Sequence, residues 1–206
     1  GFATCLLTGV TGSGKTEVYL QLAAEAVRRG LCVLVLVPEI ALISQMESRF
    51  RARFGEHVAL LHSRLSDGER YDQWVRIVRQ EVPIAIGARS AIFAPFADIG
   101  MIIVDEEHDT SYKQDSGLRY NARDLAVVRS KQLGAVALLG SATPSIQSYY
   151  NVTTKKFVLK NGLCRKLPLS ISASTEIHGG SGVLLLRNFT GPSKRRSNTA
   201  SRFSFS

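Results

Sequence analysis

The chain has 206 residues, of which 45% are hydrophobic, enough for one sizeable core with an appendage. It has no run of about 18 apolar residues, and no basic start leads into an apolar stretch, so neither a spanning helix nor a signal peptide is expected. The formal charge of +9 is uneven: residues 1–150 hold 16 basic and 16 acidic residues, and residues 151–206 hold 10 basic residues and one acid, Glu176, so the basic balance says nothing of a nucleic-acid surface on the first part.

The chain begins almost inside its first expected strand, Thr4–Leu7, as a piece of something longer would. Gly9-Val10-Thr11-Gly12-Ser13-Gly14-Lys15-Thr16 follows and fits the phosphate-binding loop G-x-x-x-x-G-K-[ST]. Gly12 and Gly14 let the backbone approach an anion. Gly9, Gly12, Ser13 and Gly14 form the cradle, and the next helix offers its positive end. Lys15 reaches the β- and γ-phosphates, and Thr16 supplies a hydroxyl to Mg²⁺. A helix is expected from there to Gly30, a good residue to end one after Arg28 and Arg29.

Further apolar runs at Leu31–Val37, Val58–Leu61, Ile84–Ile86, Met101–Val104 and Ala135–Leu139 are short and nearly continuous. Strands buried on both faces of a parallel sheet read this way. Helices are expected between them at Ile40–Phe54, at about Asn121–Lys131, and after the capping box Ser66-Asp67-Gly68-Glu69. In that third helix Tyr71, Trp74, Val75 and Val78 predict one buried stripe, with Trp74 in the core. Alternating strand and helix predicts a doubly wound, mostly parallel α/β sheet, with ligands at the carboxyl ends of its strands.

The strand Met101–Val104 runs into Asp105-Glu106-Glu107-His108. Asp105 at a strand end is the candidate Mg²⁺ ligand, and Glu106 the candidate to orient and deprotonate the attacking water. His108 is expected to sense the γ-phosphate or contact the next motif, Gly140-Ser141-Ala142-Thr143-Pro144. There Ser141 and Thr143 would couple the acids to moving parts. The candidate catalytic set is therefore Lys15, Asp105, Glu106 and His108. The three cysteines, Cys5, Cys32 and Cys164, are too far apart for a disulfide framework or a zinc site, and fit a reducing cytosol.

This ordered set resembles the first motor lobe of a superfamily 2 DExH helicase. Val37–Leu42, Leu61-His62-Ser63, Gly87–Phe96, Asp105–Gln114 and Arg119–Ala126 together closely resemble the PriA-type primosomal helicases, over about residues 3–170. The resemblance implies a RecA-like lobe, ATP and Mg²⁺ as cofactors, and 3′→5′ DNA unwinding in bacterial replication restart. It implies single-stranded or forked DNA, primosome proteins and single-strand-binding proteins as partners, a monomer, and a cytoplasmic, nucleoid-associated setting. It places Pro38–Leu42 and Arg89–Phe96 along the single strand, with Arg89 and Ser90 as contacts. The loop Tyr112–Arg123 would couple DNA contact to hydrolysis, with Tyr112 and Tyr120 stacking on bases and Lys113, Arg119 and Arg123 meeting phosphates.

The same resemblance implies parts not found in this sequence: DNA-binding domains, a zinc module and a second lobe with arginine fingers. Such fingers are worth roughly 10³–10⁵ in rate, so slow hydrolysis and no unwinding are expected of the chain alone. The alternatives are another DExH translocase acting on duplex DNA, a small-molecule kinase, and a remnant that binds without turnover. Residues 1–150 are expected as the ATP-binding lobe, 151–170 as a partly ordered extension, and 171–206 as a basic tail of low order. Residues 183–206 are expected to be non-native, from a frameshifted or degraded reading frame.

Overall fold

The computed structural model describes residues 1–153, 174–178 and 181–185. Six parallel strands form the centre of the sheet: β1 (Ala3–Thr8), β2 (Cys32–Leu36), β3 (Val58–Leu61), β4 (Ile84–Gly87), β5 (Ile99–Val104) and, after a two-stranded arm, β8 (Val136–Ser141). The arm pairs β6 (Lys113–Gln114) with β7 (Tyr120–Asn121). Across the main sheet the order is β3-β4-β2-β5-β8-β1 and then two further strands, β10 (Ser181–Leu185) and β9 (Ser174–His178). β10 runs parallel to β1, and β9 returns antiparallel. These two strands fall where low order is expected. The expectations for residues 154–170 and for 186–206 lie outside the described residues.

The helices are α1 (Lys15–Arg28), α2 (Ile40–Phe54), α3 (Asp67–Val78), α4 (Ala122–Leu133) and α5 (Ile146–Thr153), the last not anticipated from the sequence. Strand residues alternate between the two faces, so consecutive positions serve different cores. Val33 and Val35 of β2 meet α1 and α2 through Tyr19, Leu22, Ala26, Ile43, Met46 and Phe50. Leu34 and Leu36 belong to the opposite core with Ile77, Tyr112, Ala122 and Ala126. Both faces are therefore covered, which is why the strands carry continuous apolar runs rather than an alternating pattern.

The capping box on α3 is present: the Ser66 hydroxyl accepts from Glu69 N at 3.3 Å, and Glu69 Oε2 accepts from Ser66 N at 2.8 Å. The buried stripe proposed for this helix is not. Tyr71, Trp74 and Val78 are exposed, Trp74 by 40%, and Val75 is half-buried, leaving Ile77 as the buried side chain. The reason lies in the sheet. α3 flanks the edge strand β3, so only a narrow stripe of the helix has sheet beneath it. Gln73 takes part of that stripe, its Oε1 accepting from Leu60 N at 3.2 Å.

Candidate nucleotide site and adjoining groove

Because the six strands are parallel, their carboxyl ends lie along one rim. β1 delivers the glycine-rich loop, β5 the acids and β8 the Ser-Ala-Thr segment. These three strands are neighbours in the order β5-β8-β1, so segments as far apart as Gly9 and Ser141 in sequence meet in one place. β2, β3 and β4, on the other side of β5, deliver Pro38, Ser63 and Arg89 to the same rim.

In the glycine-rich loop Gly12 and Gly14 take φ of 80° and 92°, left-handed values that glycine adopts without a Cβ penalty. Gly14 is the N-cap of α1 and no side chain caps the helix, so its first-turn N–H groups and its positive end face the loop. The Ser13 hydroxyl is buried without a protein partner. Lys15 Nζ donates to Gly9 O at 2.8 Å and lies 3.5 Å from Glu106 Oε1. Thr16 sits half-buried in the same turn.

Asp105 follows β5, its N–H donating to Leu36 O at 2.9 Å. Burial pushes its carboxyl above the usual range, while the Tyr19 hydroxyl and Lys15 pull the other way. Tyr19 is fully buried and donates to Asp105 Oδ1 at 2.9 Å. Glu106 takes a left-handed φ of 44°, an uncommon conformation for a residue with a Cβ. That turn sends its side chain toward Lys15, and Oε2 accepts from Ala142 N at 3.3 Å.

His108 links the acids to the Ser-Ala-Thr segment. Its Nδ1 is 2.7 Å from Ser141 Oγ, and its Nε2 is 3.4 Å from Thr143 Oγ1. Ser141 Oγ also accepts from Thr143 N at 3.0 Å, and Ser141 O accepts from Gly9 N at 3.2 Å. The fold thus brings together Gly9, Lys15, Glu106, His108, Ser141 and Thr143, with Asp105 and Thr16 beside them.

Of two residues that sequence reasoning passed over, one belongs to this cluster and one lies behind it. Tyr19 lies four positions after Lys15, on the same face of α1, and that spacing is the signal that could have found it. Glu107 points away from the rim into the protein. Its carboxylate accepts from Ser145 N at 2.7 Å and from the Ser148 hydroxyl at 2.7 Å, and lies 3.4 Å from Arg123 Nη1. A third acid directly after a buried strand was its only mark in the sequence.

The oxygen donors suit magnesium. Among the described residues no cluster of three or more His, Cys, Asp or Glu could hold a metal ion. One carboxylate and one hydroxyl, Asp105 and Thr16, are what a Mg²⁺ completed by phosphate and water needs.

Beside this cluster runs a groove of about 500 Å³, lined by Pro38, Ser63, Arg89, Ser90, Gln114, Tyr120 and others. It collects Pro38, Arg89, Ser90 and Tyr120 of the residues expected to meet DNA. Arg89 Nη1 donates to Lys113 O at 2.6 Å and to Ser111 O at 3.2 Å, and the Ser111 hydroxyl donates to Pro38 O at 2.9 Å. Tyr120 packs edge-on against Phe93, ring centroids 5.1 Å apart. Lys113 is exposed, 3.0 Å from Asp115, and Arg119 is exposed.

Two expectations for the loop Tyr112–Arg123 need correction. Tyr112 is fully buried, its hydroxyl oxygen 2.6 Å from Asp105 O and 3.0 Å from Leu36 O with its one proton shared between them, so no ring face is left for a base. It joins the end of β2 to the end of β5. Arg123 is not a free phosphate ligand either. Its side chain is 13% exposed and is held between Glu107 and Asp124.

Residues 2–152 match the family model of DEAD/DEAH box helicases. The chain is 55% identical over 144 residues to the replication restart protein PriA of Bacillus subtilis, covering 70% of this chain and 18% of that protein. It is 54% identical over 159 residues to the protein of the same name from Chlamydia trachomatis, covering 77% of this chain and 21% of the other. The chain thus spans about a fifth of the length of the curated relatives it matches. Among solved structures it is similar to RecG bound to a three-way DNA junction, with 25% identity and a TM-score of 0.53 over 71% of this chain and 19% of that one. The Hef helicase domain of Pyrococcus furiosus has the same fold, with 23% identity and a TM-score of 0.52 over 69% of this chain and 30% of that one.

Proposed function

The chain belongs to the DEAD/DEAH box helicase family, and from that premise we propose that it is the first motor lobe of a PriA-type 3′→5′ DNA helicase of replication restart, binding Mg–ATP and single-stranded DNA. The observation that carries this reading is the meeting of Lys15, Glu106 and the Ser-Ala-Thr segment at one rim, with Lys15 Nζ 3.5 Å from Glu106 Oε1.

In this reading Gly9, Gly12, Ser13 and Gly14 with the head of α1 cradle the phosphates, and Lys15 exchanges its present partners for the β- and γ-phosphate oxygens. Asp105 and Thr16 hold the Mg²⁺, which neutralises charge on the phosphates when bound. Glu106 orients the attacking water and takes its proton, with its carboxylate aimed by the Ala142 N–H. His108 carries the state of that end to Ser141 and Thr143.

The groove takes the DNA strand. Arg89 and Ser90 sit beside backbone phosphates, and Tyr120 with Phe93 offers an aromatic wall at one end. Support for a DNA rather than a small-molecule acceptor comes from the PriA and RecG likenesses. The parent protein acts as a monomer on forked DNA in the bacterial cytoplasm, at the nucleoid, with primosome and single-strand-binding partners.

The test is nucleotide binding and ATP hydrolysis with and without an oligothymidine, alongside Lys15→Ala. The reading expects Mg²⁺-dependent nucleotide binding that DNA modulates and that Lys15→Ala abolishes. Binding unaffected by Lys15→Ala, or no binding at all, refutes it.

A further inference from the structure

Tyr19 has a position that core packing alone does not require. It is fully buried in the second turn of α1, and its one polar atom is spent on Asp105 Oδ1, 2.9 Å away, rather than on a backbone carbonyl. The opposite wall of its slot is Gly140, in the interior of β8, a place where glycine weakens a strand. A Cβ at Gly140 would overlap the Tyr19 hydroxyl and come within 2.9 Å of Cζ. A phenylalanine would fill the same hydrophobic volume and would not need the room left for the hydroxyl. The helix after the phosphate loop, the strand before the acids and the strand before Ser-Ala-Thr therefore converge on one side-chain hydrogen bond.

We propose that Tyr19 is a positioning residue: its hydroxyl, admitted by the missing side chain of Gly140, fixes the orientation in which the Asp105 carboxylate meets the divalent cation of the bound nucleotide. The proposal rests on the reading above that Asp105 holds that cation. An outer partner that holds one carboxylate oxygen sets the direction of the other, and loss of such a partner typically costs about 10- to 100-fold in metal affinity.

The experiment measures binding of a fluorescent ATP analogue to the full chain across a Mg²⁺ series and in EDTA, repeated with Mn²⁺ detected by electron paramagnetic resonance. It compares wild type, Tyr19→Phe, Gly140→Ala and Asp105→Asn, with thermal midpoints in EDTA as the check on folding. Tyr19→Phe is expected to leave nucleotide affinity in EDTA unchanged and to raise the Mg²⁺ and Mn²⁺ concentrations for half-saturation about tenfold. Gly140→Ala shifts them in the same direction by displacing the hydroxyl. If Gly140→Ala does not fold, Tyr19→Phe decides alone. A purely structural role would lower the midpoint and leave the metal dependence where it was. If Asp105→Asn loses the metal dependence and Tyr19→Phe keeps it at the wild-type level, the proposal is wrong and the nucleotide reading stands. If wild type itself binds nucleotide with no metal dependence, both fall.

Discussion

Replacing Glu107 with alanine is a severe single change away from the nucleotide loop. The Glu107 side chain is 0% exposed and that of Arg123 only 13%. The carboxylate satisfies the Ser145 N–H, the Ser145 and Ser148 hydroxyls, and one edge of the Arg123 guanidinium. Alanine strands the Ser145 N–H and the two hydroxyls, leaves Arg123 with Asp124 as its remaining carboxylate, and opens a cavity. Removing one partner of a buried ion pair costs about 3–5 kcal/mol, because the survivor keeps its desolvation penalty. Against a total of about 5–15 kcal/mol that is a large share. At about 2–4 °C per kcal/mol for a chain of this size, the thermal midpoint should fall by roughly 6–20 °C. Circular dichroism melts of wild type, Glu107→Ala, Glu107→Gln and Glu107→Ala/Arg123→Met test this. Glu107→Gln keeps the shape and an acceptor and should lose less. The double variant should recover about 1–3 kcal/mol relative to the sum of its parts. A Glu107→Ala midpoint within a degree or two of wild type would show that water reaches this carboxylate and that the network does not hold α5 in place.

Burial raises the Asp105 carboxyl, so the folded state holds that proton more tightly than the unfolded chain does. The stability this gives is present at low pH and lost as pH rises through the folded value. Asp105→Asn, which cannot ionise, should therefore melt above wild type at neutral pH without metal, and the gap should close as pH falls toward the ordinary value of 3.8. A gap independent of pH would contradict the shift. Tyr112→Phe removes a hydroxyl that serves two carbonyls and should cost about 1–2 kcal/mol in urea unfolding, with an unchanged slope. An unaltered midpoint would mean that those carbonyls are met by water. Ser66→Ala dismantles the capping box and should cost about 1 kcal/mol, with α3 amides exchanging hydrogen faster than those of α4. Equal protection in both helices would count against a cap acting locally.

The central sheet was legible because each strand is a continuous apolar run between breakers. Val58–Leu61 and the helix Ile40–Phe54 were read at their observed bounds. The nucleotide loop was legible because its chemistry is local, eight residues in one order. Where the reading failed, the missing information was three-dimensional. The apolar spacing of Tyr71, Trp74 and Val78 records a period, not how much of the helix has sheet beneath it, and at the β3 edge only a narrow stripe does. Tyr112 sits among charged residues and looked solvated. Only the pairing of β2 with β5 brings the Leu36 and Asp105 carbonyls close enough to claim its hydroxyl. Arg123 was read as a phosphate ligand because its acceptor, Glu107, had no assigned role. Tyr19 was passed over because nothing in its neighbourhood of the sequence names Gly140 as the far wall of its slot.

That slot constrains descent as well as chemistry. A methyl group at position 140 would claim the space that the Tyr19 hydroxyl now fills, so it can arrive only by pushing the phenol aside. A lineage drifting away from this arrangement does so without a clash if it gives up the aromatic hydroxyl first and adds bulk to the strand afterwards. The reverse order passes through an ancestor whose Tyr19 hydroxyl is pushed off Asp105, so the first order is the one that avoids a clash.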